Sequence, residues 1–443
     1  MTADEMIRLC REHSLYSWSR QDAVEPLAVT GGDGAWFWTA DGRRFLDFNS
    51  QTMSVAVGHN NRRIIDAMKA QLDVLPYAYP GAATEIRARA GELLASVLPG
   101  DLDVSFFTLG GSDANESAIK AARWATGRHK ILSRYRSYHG ATAGAMQLTG
   151  DPRRWATEPG PPGFIHVLDP EPYGFAFGAT PAEQTARHLE YLDEVIQMEG
   201  PDQIAALFIE TVTGTNGVLA PPAGWLAGVR ALTERYGILL VCDEVMCGFG
   251  RTGRWFAFER EGIVPDIVTV AKGLTSSYAP LGAMVLRREL ARTFDTRVFQ
   301  TGLTYHAHPV SLAAAVANIE VLRDERLVER AAALEPVMLE EMERLRVEHP
   351  SVRGGRAVGL FGMVDLQRDT SGAPFGGFNV KHPLMHDLYE RLLAEGVFAY
   401  VRWSTVMVLP PLCISEAELR DGFARMGRAL DVLDAVAGAS GSA

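Results

Sequence analysis

The chain has 443 residues, a net charge of −11, 47% hydrophobic residues and 22% charged residues. This ordinary globular composition is long enough for about two to three domains and excludes disorder as the main state. The acidic surplus and the lack of a basic run argue against a nucleic-acid partner, and the longest apolar runs, such as Gly237–Cys242, are far short of a bilayer span.

Met1–Cys10 carries two acids and no apolar segment, so a secretory signal is not expected there and a cytoplasmic setting is. The four cysteines, Cys10, Cys242, Cys247 and Cys413, form no CxxC pair and read as idle thiols; neither a disulfide framework nor a metal site is expected. Residues 20–60 hold two short alternating runs, Ala35–Trp38 and Arg44–Phe48, which predict a small antiparallel element.

From about 60 to 310, short apolar runs bounded by turns predict seven buried strands: Ser105–Leu109, Lys130–Arg134, Phe164–Leu168, Ile204–Glu210, Gly237–Asp243, Asp266–Ala271 and Gly282–Leu286. Helical periods lie between several of them, at Ser112–Thr126, Ala182–Met198 and Gly224–Tyr236. Strands alternating with helices predict an α/β domain with a mostly parallel sheet covered on both faces. Beyond it come a long helical stretch, Ser311–Glu348, with one break, short strands at Gly359–Asp365 and Val406–Leu409, and a last helix at Glu416–Val436. The expected division is an N-terminal segment 1–59, a large domain 60–312 and a C-terminal part 313–443. The first and last would together form a small α+β domain. Gly178–Ala182 and Asp369–Gly377 read as exposed loops, and Gly438–Ala443 is expected to fray.

Three sites of chemistry follow from where these runs end. The strand Gly237–Asp243 is apolar until it stops at Asp243-Glu244. In an open α/β sheet ligands bind beyond the carboxyl ends of strands, so such an acid faces a ligand, a metal or a cation, or else caps a neighbouring loop. A Walker-type magnesium site would need a Gly-Lys phosphate loop, and the chain has no Gly-Lys dipeptide. Gly248-Phe-Gly250-Arg-Thr-Gly253 fits G-x-G-x-x-G, but it runs into Arg254-Trp-Phe-Ala-Phe rather than a helix, and Asp266 lies too close for the ribose acid.

Of 43 basic residues only five are lysines, Lys69, Lys120, Lys130, Lys272 and Lys381. Lys272 alone follows a buried strand and precedes a glycine. An amine there is costly to keep charged, so its pKa should fall and it should become the nucleophile a Schiff base needs; a side chain snorkelling to solvent is the plainer alternative. At Thr108-Leu-Gly-Gly-Ser112 a strand turns through two glycines into a helix. The helix N-terminus can cradle an anion, and Ser112 can also serve as N-cap. A lysine for an aldehyde, an acid for a ring nitrogen and an anion cradle are what pyridoxal phosphate (PLP) requires.

With Gly-Gly-Ser-Asp-Ala-Asn-Glu at 110–116, Tyr138-His139-Gly140, Asp243-Glu244-Val245, Ala271-Lys272-Gly273, Thr304-Tyr305 and His308-Pro309, the chain resembles the class III, or omega, aminotransferases of the fold-type-I PLP enzymes over nearly its whole length. The resemblance implies that Lys272 holds the cofactor as a Schiff base and shuttles a proton, that Asp243 holds the pyridine nitrogen, and that Tyr138 and Val245 cover the two ring faces. It implies that Gly111 and Ser112 hold the phosphate, that Thr304 reaches it from the partner subunit of a homodimer or larger assembly, and that Glu210 and His139 lie near the site. Ile209-Glu-Thr-Val-Thr-Gly and Lys272-Gly-Leu-Thr-Ser-Ser-Tyr resemble the taurine–pyruvate and omega-amino-acid–pyruvate branch. This implies a terminal-amine donor, pyruvate as acceptor and ping-pong kinetics. Met53 stands where many pyruvate-coupled members carry tryptophan, and the region before Pro410-Pro411 looks shortened. Arg402 is a candidate for the substrate's acid group, or an ordinary surface arginine. A racemase, epimerase or decarboxylase on the same scaffold, and a nucleotide-binding α/β protein, are the alternatives.

Overall fold

The computed structural model describes residues 1–437, so the fraying expected at Gly438–Ala443 lies outside the described residues. Three sheets organise it. The N-terminal strands β1 (Val29–Asp33), β2 (Trp36–Thr39) and β3 (Arg44–Asp47) form an antiparallel meander. The large sheet holds β4 (Leu102–Thr108), β5 (Lys130–Arg134), β6 (Phe164–Val167), β7 (Ile204–Glu210), β8 (Leu239–Asp243), β9 (Ile267–Val270) and β10 (Gly282–Arg287), in the order β4-β10-β9-β8-β7-β5-β6. The third holds β11 (Val352–Val358), β12 (Phe361–Leu366), β14 (Tyr400–Arg402) and β15 (Thr405–Val408); the short β13 (Val397–Phe398) instead joins the first sheet, parallel to β3.

All seven expected strands of the large sheet are present and share one sheet. Only β10 is antiparallel to its neighbours. Every residue of β7 and nearly all of β8 are buried, as expected for strands covered on both faces by helices. This parallel arrangement sends the carboxyl ends of β4, β5, β7, β8 and β9 to one edge, where the Gly110–Glu116, Tyr138–Gly140, Asp243–Val245 and Ala271–Gly273 motifs meet.

The one break expected in Ser311–Glu348 is present, and other elements depart from expectation in detail. The stretch Ser311–Glu348 is two helices, Pro309–Asp324 and Leu327–Glu348, broken at Glu325–Arg326, where Arg326 takes a left-handed conformation. Pro181 and Ala182, expected in a loop, open the helix Pro181–Glu199, because Thr180 and Glu183 form a reciprocal capping box. Strands β1, β11, β13 and β14 and the helix Ala3–His13 went unread. The four cysteines are free. No helix among the described residues is long and apolar enough to cross a membrane.

The Gly248–Gly253 segment, which mimics a dinucleotide fingerprint, carries a structural strut. The buried Arg251 guanidinium donates to the carbonyls of Leu360 (3.0 Å) and Pro410 (2.5 Å) and to Ser50 Oγ (3.2 Å), tying the large sheet to both terminal parts of the chain. Burial lowers its pKa to about 10, still well above neutrality, so it remains a cation.

Candidate active site

A cavity of about 280 Å³ opens at the carboxyl edge of the large sheet. Gly111, Ser112, Tyr138, His139, Glu210, Asp243, Val245 and Lys272 all line it. These residues are far apart in the chain and come together because parallel strands end at one edge. Three expected site residues are not in its wall. Met53 is buried in a cluster with Val212, Phe361 and Met407, against which Met246 of the cavity wall packs. Thr304 is exposed on the surface of its own chain. Arg402 stands off, its guanidinium on the Asp151 carboxylate (3.2 Å) and over the Trp403 ring.

The floor is a hydrogen-bond network gathered around Asp243. Glu210 and Asp243 sit side by side in register at the ends of β7 and β8. Asp243 Oδ2 accepts from Asn115 Nδ2 and from His139 Nδ1, each at 2.8 Å, and Oδ1 accepts from the Val245 N–H at 3.0 Å. Asn115 is fixed in turn: it donates to the His139 carbonyl (2.7 Å) and accepts from Thr269 Oγ1 (2.8 Å). A carboxylate offers about four acceptor directions, so one remains for an N–H entering from the cavity. Glu210 accepts from the Tyr138 and Gly214 N–H groups, each at 2.9 Å. Burial, with the nearby Asp243 charge, raises its pKa.

Lys272 projects from the turn after β9. Its backbone is left-handed (φ 40°), a conformation that costs a non-glycine residue about 1–2 kcal/mol. The turn is held by the buried Asn318 of the helix Pro309–Asp324, whose amide donates to the carbonyls of Gly273 (2.7 Å) and Leu274 (3.1 Å). Removal from water lowers the Lys272 pKa to about 8, against the opposing pull of Glu210 and Asp243. The amine is therefore substantially neutral in mildly alkaline solution, as a nucleophile must be.

The anion cradle differs from expectation in one respect. Gly110, not Ser112, is the N-cap of the helix Gly111–Thr126. The extended Gly110 lets the helix start one turn position earlier, which places Ser112 inside the first turn. There its hydroxyl oxygen accepts from the Ala141 N–H at 3.1 Å, leaving the hydroxyl proton to donate. Any side chain at Gly140 (φ 144°) would strike Ser112 Oγ, with a Cβ only 2.4 Å away, so glycine there is what brings the two loops together. At Gly111 a Cβ would lie 3.0 Å from Val245. The free N–H groups of the first helical turn and the Ser112 hydroxyl together suit a phosphate, the Asp243 direction suits a protonated ring nitrogen, and Lys272 suits an aldehyde. The residues present fit PLP.

Sequence reading named Arg402 but missed the rest of the rim. Arg153 stacks on the Tyr138 ring, 3.7 Å from its centroid, with Trp18 edge-on to the same ring. Asp151, which is buried, takes both Arg153 and Arg402. Burial alone would raise the Asp151 carboxyl; the two guanidiniums more than offset it and hold it below the usual range. One carboxylate between two guanidiniums leaves a net positive charge beside the cavity. The only sequence signal was an acid two residues before an arginine, too common to single out.

Comparisons with known proteins agree with this geometry. The aminotransferase class-III family model matches residues 17–430. A taurine–pyruvate aminotransferase of Bilophila wadsworthia is 33% identical over 83% of this chain and 84% of its own. The structure of a taurine:2-oxoglutarate aminotransferase from Bifidobacterium kashiwanohense, in complex with PLP and glutamate, superposes with a TM-score of 0.95 at 36% identity, covering 98% of this chain and 99% of that one. An (S)-enantioselective omega-transaminase from Thermomicrobium roseum gives a TM-score of 0.93 at 38% identity, covering 98% and 100%. The strand-end lysine, the acid and the glycine-flanked helix N-terminus thus stand in a family that contains such enzymes: the chain belongs to the class III aminotransferases.

Proposed function

We propose that this aminotransferase uses PLP to move the amino group of a small terminal amine bearing an acid at its far end, an omega-amino acid or taurine, to a keto acid, pyruvate first among them. The observation that carries the reading is the convergence of the Lys272 amine, the Asp243 carboxylate and the Gly111–Ser112 helix start on one cavity. The net positive rim of Arg153, Arg402 and Asp151 supports an acidic substrate.

PLP, when bound, supplies an electron-withdrawing ring that stabilises the negative charge left when a proton leaves the substrate carbon. The chain does the rest. Asp243 keeps a proton on the ring nitrogen, and Asn115, His139 and Val245 hold that carboxylate still. Tyr138 and Val245 flank the ring. Lys272 Nζ would hold the cofactor through its aldehyde and, when free, would serve as the base that carries the substrate proton. Ser112 and the helix N–H groups hold the phosphate, and a hydroxyl from Thr304 of a second copy completes that cradle in a homodimer. Donor and acceptor use the same site in turn, which gives ping-pong kinetics. In the same reading the chain divides at 59/60 and 312/313, and the protein works in the cytoplasm.

The test is a half-reaction. The holoprotein is mixed with single amines while every keto acid is withheld, and its visible absorption is followed. Taurine or an omega-amino acid should discharge the visible band, and pyruvate should restore it. A band that no amine discharges would overturn the reading. Conversion of one amino acid with no keto acid present would point instead to a racemase or decarboxylase.

A further inference from the structure

The exposed Thr304 sits at the tip of a turn that is clamped from inside its own chain. His306 is buried, 2% exposed. Its backbone N–H donates to the Leu303 carbonyl (3.1 Å), and its ring Nδ1 accepts from the Leu303 N–H (3.2 Å), so one residue closes the turn Leu303–His306 in both directions. With Nδ1 accepting, the ring proton lies on Nε2, and Nε2–H donates to Asp113 Oδ2 at 2.8 Å. That same oxygen accepts from the Leu109 N–H (2.9 Å), the residue before the two glycines of the anion cradle. Asp113 itself follows Ser112 on the helix Gly111–Thr126. A single carboxylate oxygen therefore bridges the chain's own cradle and the turn that carries Thr304.

The turn has a second brace, since Tyr77 Oη donates to the Thr304 carbonyl at 2.9 Å. Its tip faces outward. Leu303 and Tyr305 (58% exposed) flank Thr304, and the exposed Tyr77 ring stands edge-on to Tyr305, 6.4 Å between centroids. A braced turn with a large apolar tip fits a surface that a second copy covers.

We propose that His306 and Asp113 are positioning residues: they form a strut that sets Thr304 relative to the Gly111–Ser112 turn, so that each chain's own phosphate cradle holds in place the threonine it offers to its partner's site. The proposal rests on the reading that Thr304 serves a second copy. It assigns a role to His306 that ordinary core packing would not give, namely an effect on a phosphate bound at the other site.

The experiment titrates full-length apoprotein with PLP and with pyridoxal, which lacks the phosphate, and follows the visible band. His306→Ala should weaken PLP roughly tenfold, the equivalent of one good hydrogen bond, and leave pyridoxal within about twofold. His306→Gln keeps an N–H for Asp113 but loses the bond from Leu303, and should fall between; it serves the same purpose if the alanine variant does not fold. Equal weakening of PLP and pyridoxal, or no change in either, overturns the strut. Thr304→Ala separates the two readings. If it weakens PLP while the His306 variants do not, the strut fails and the shared site stands. If Thr304→Ala leaves PLP binding unchanged, the shared-site reading fails, and the strut with it.

Discussion

The floor and the rim of the cavity are built on opposite plans. On the floor, Asp243, Asn115, His139 and Thr269 are all buried and linked through hydrogen bonds that converge on Asp243 and Asn115. On the rim, Asp151, Arg153 and Arg402 form a charged triad that carries one excess positive charge, and Arg402 is held by contacts of 3.2 Å to Asp151 and 3.4 Å to Asn216 and by the Trp403 ring. A converging network presents a fixed geometry to a group that stays. A charge-unbalanced one has a partner still to find, which suits substrates that come and go.

The largest expected effect is on the floor. Lys272→Ala should lower turnover by about 10⁴-fold or more, because it removes both nucleophile and proton carrier, while the protein still binds PLP. Retention of turnover within tenfold in a steady-state assay would break the floor's central role. Asp243→Asn should follow, with a loss of about 10²–10³-fold in kcat, since an uncharged amide cannot hold the ring proton. If kcat instead fell no further than in Asn115→Ala, the charge would not be what matters there.

The rim should respond differently. Arg402→Ala should raise KM for an acidic amine by about tenfold to a hundredfold with little change in kcat. The same variant should leave an uncharged amine nearly unaffected, and an equal loss for both would deny the rim its part in recognition. The pH dependence sharpens the floor. Lys272 is charged below its pKa of about 8 and neutral above it, so the rate at which apoprotein captures PLP should climb with pH through about 8 and level off. Below that pKa each unit should cost about tenfold in neutral amine, and a rate still climbing tenfold per unit beyond pH 9 would show that burial does not lower this lysine. Met53→Trp should matter least, within a few-fold on KM for pyruvate, because Met53 lies in its buried cluster rather than in the cavity wall.

The same contrast explains what could be read from the chain alone. The seven strands of the large sheet are apolar runs with turn residues at each end, so their existence and most of their limits were legible, and with them the strand-end positions of Asp243, Glu210 and Lys272. Strand β13 has two residues and takes its form from the distant β3, and β14 has only three, paired across a tight turn with β15. Nothing in so short a run carries a period. Ser112 was misjudged as N-cap because two glycines allow the helix to begin at either. Asn115 lay inside a quoted motif, yet its role depends on Thr269 and Asp243, more than a hundred residues away. Asp151 and Arg153 pair locally, but Asp151 also takes Arg402, 251 positions distant, and His306 is held by an acid 193 positions distant. Long-range polar pairing leaves no local pattern, and that is where the sequence stopped being informative.

The central claim is that the floor carries a PLP-dependent amino transfer. It is tested most directly by the visible spectrum of the purified protein before and after one acidic terminal amine is added with no keto acid present. The account predicts a visible band that the amine discharges and pyruvate restores, and a Lys272→Ala variant in which the same cycle does not occur. A protein that stays colourless after incubation with PLP would contradict it.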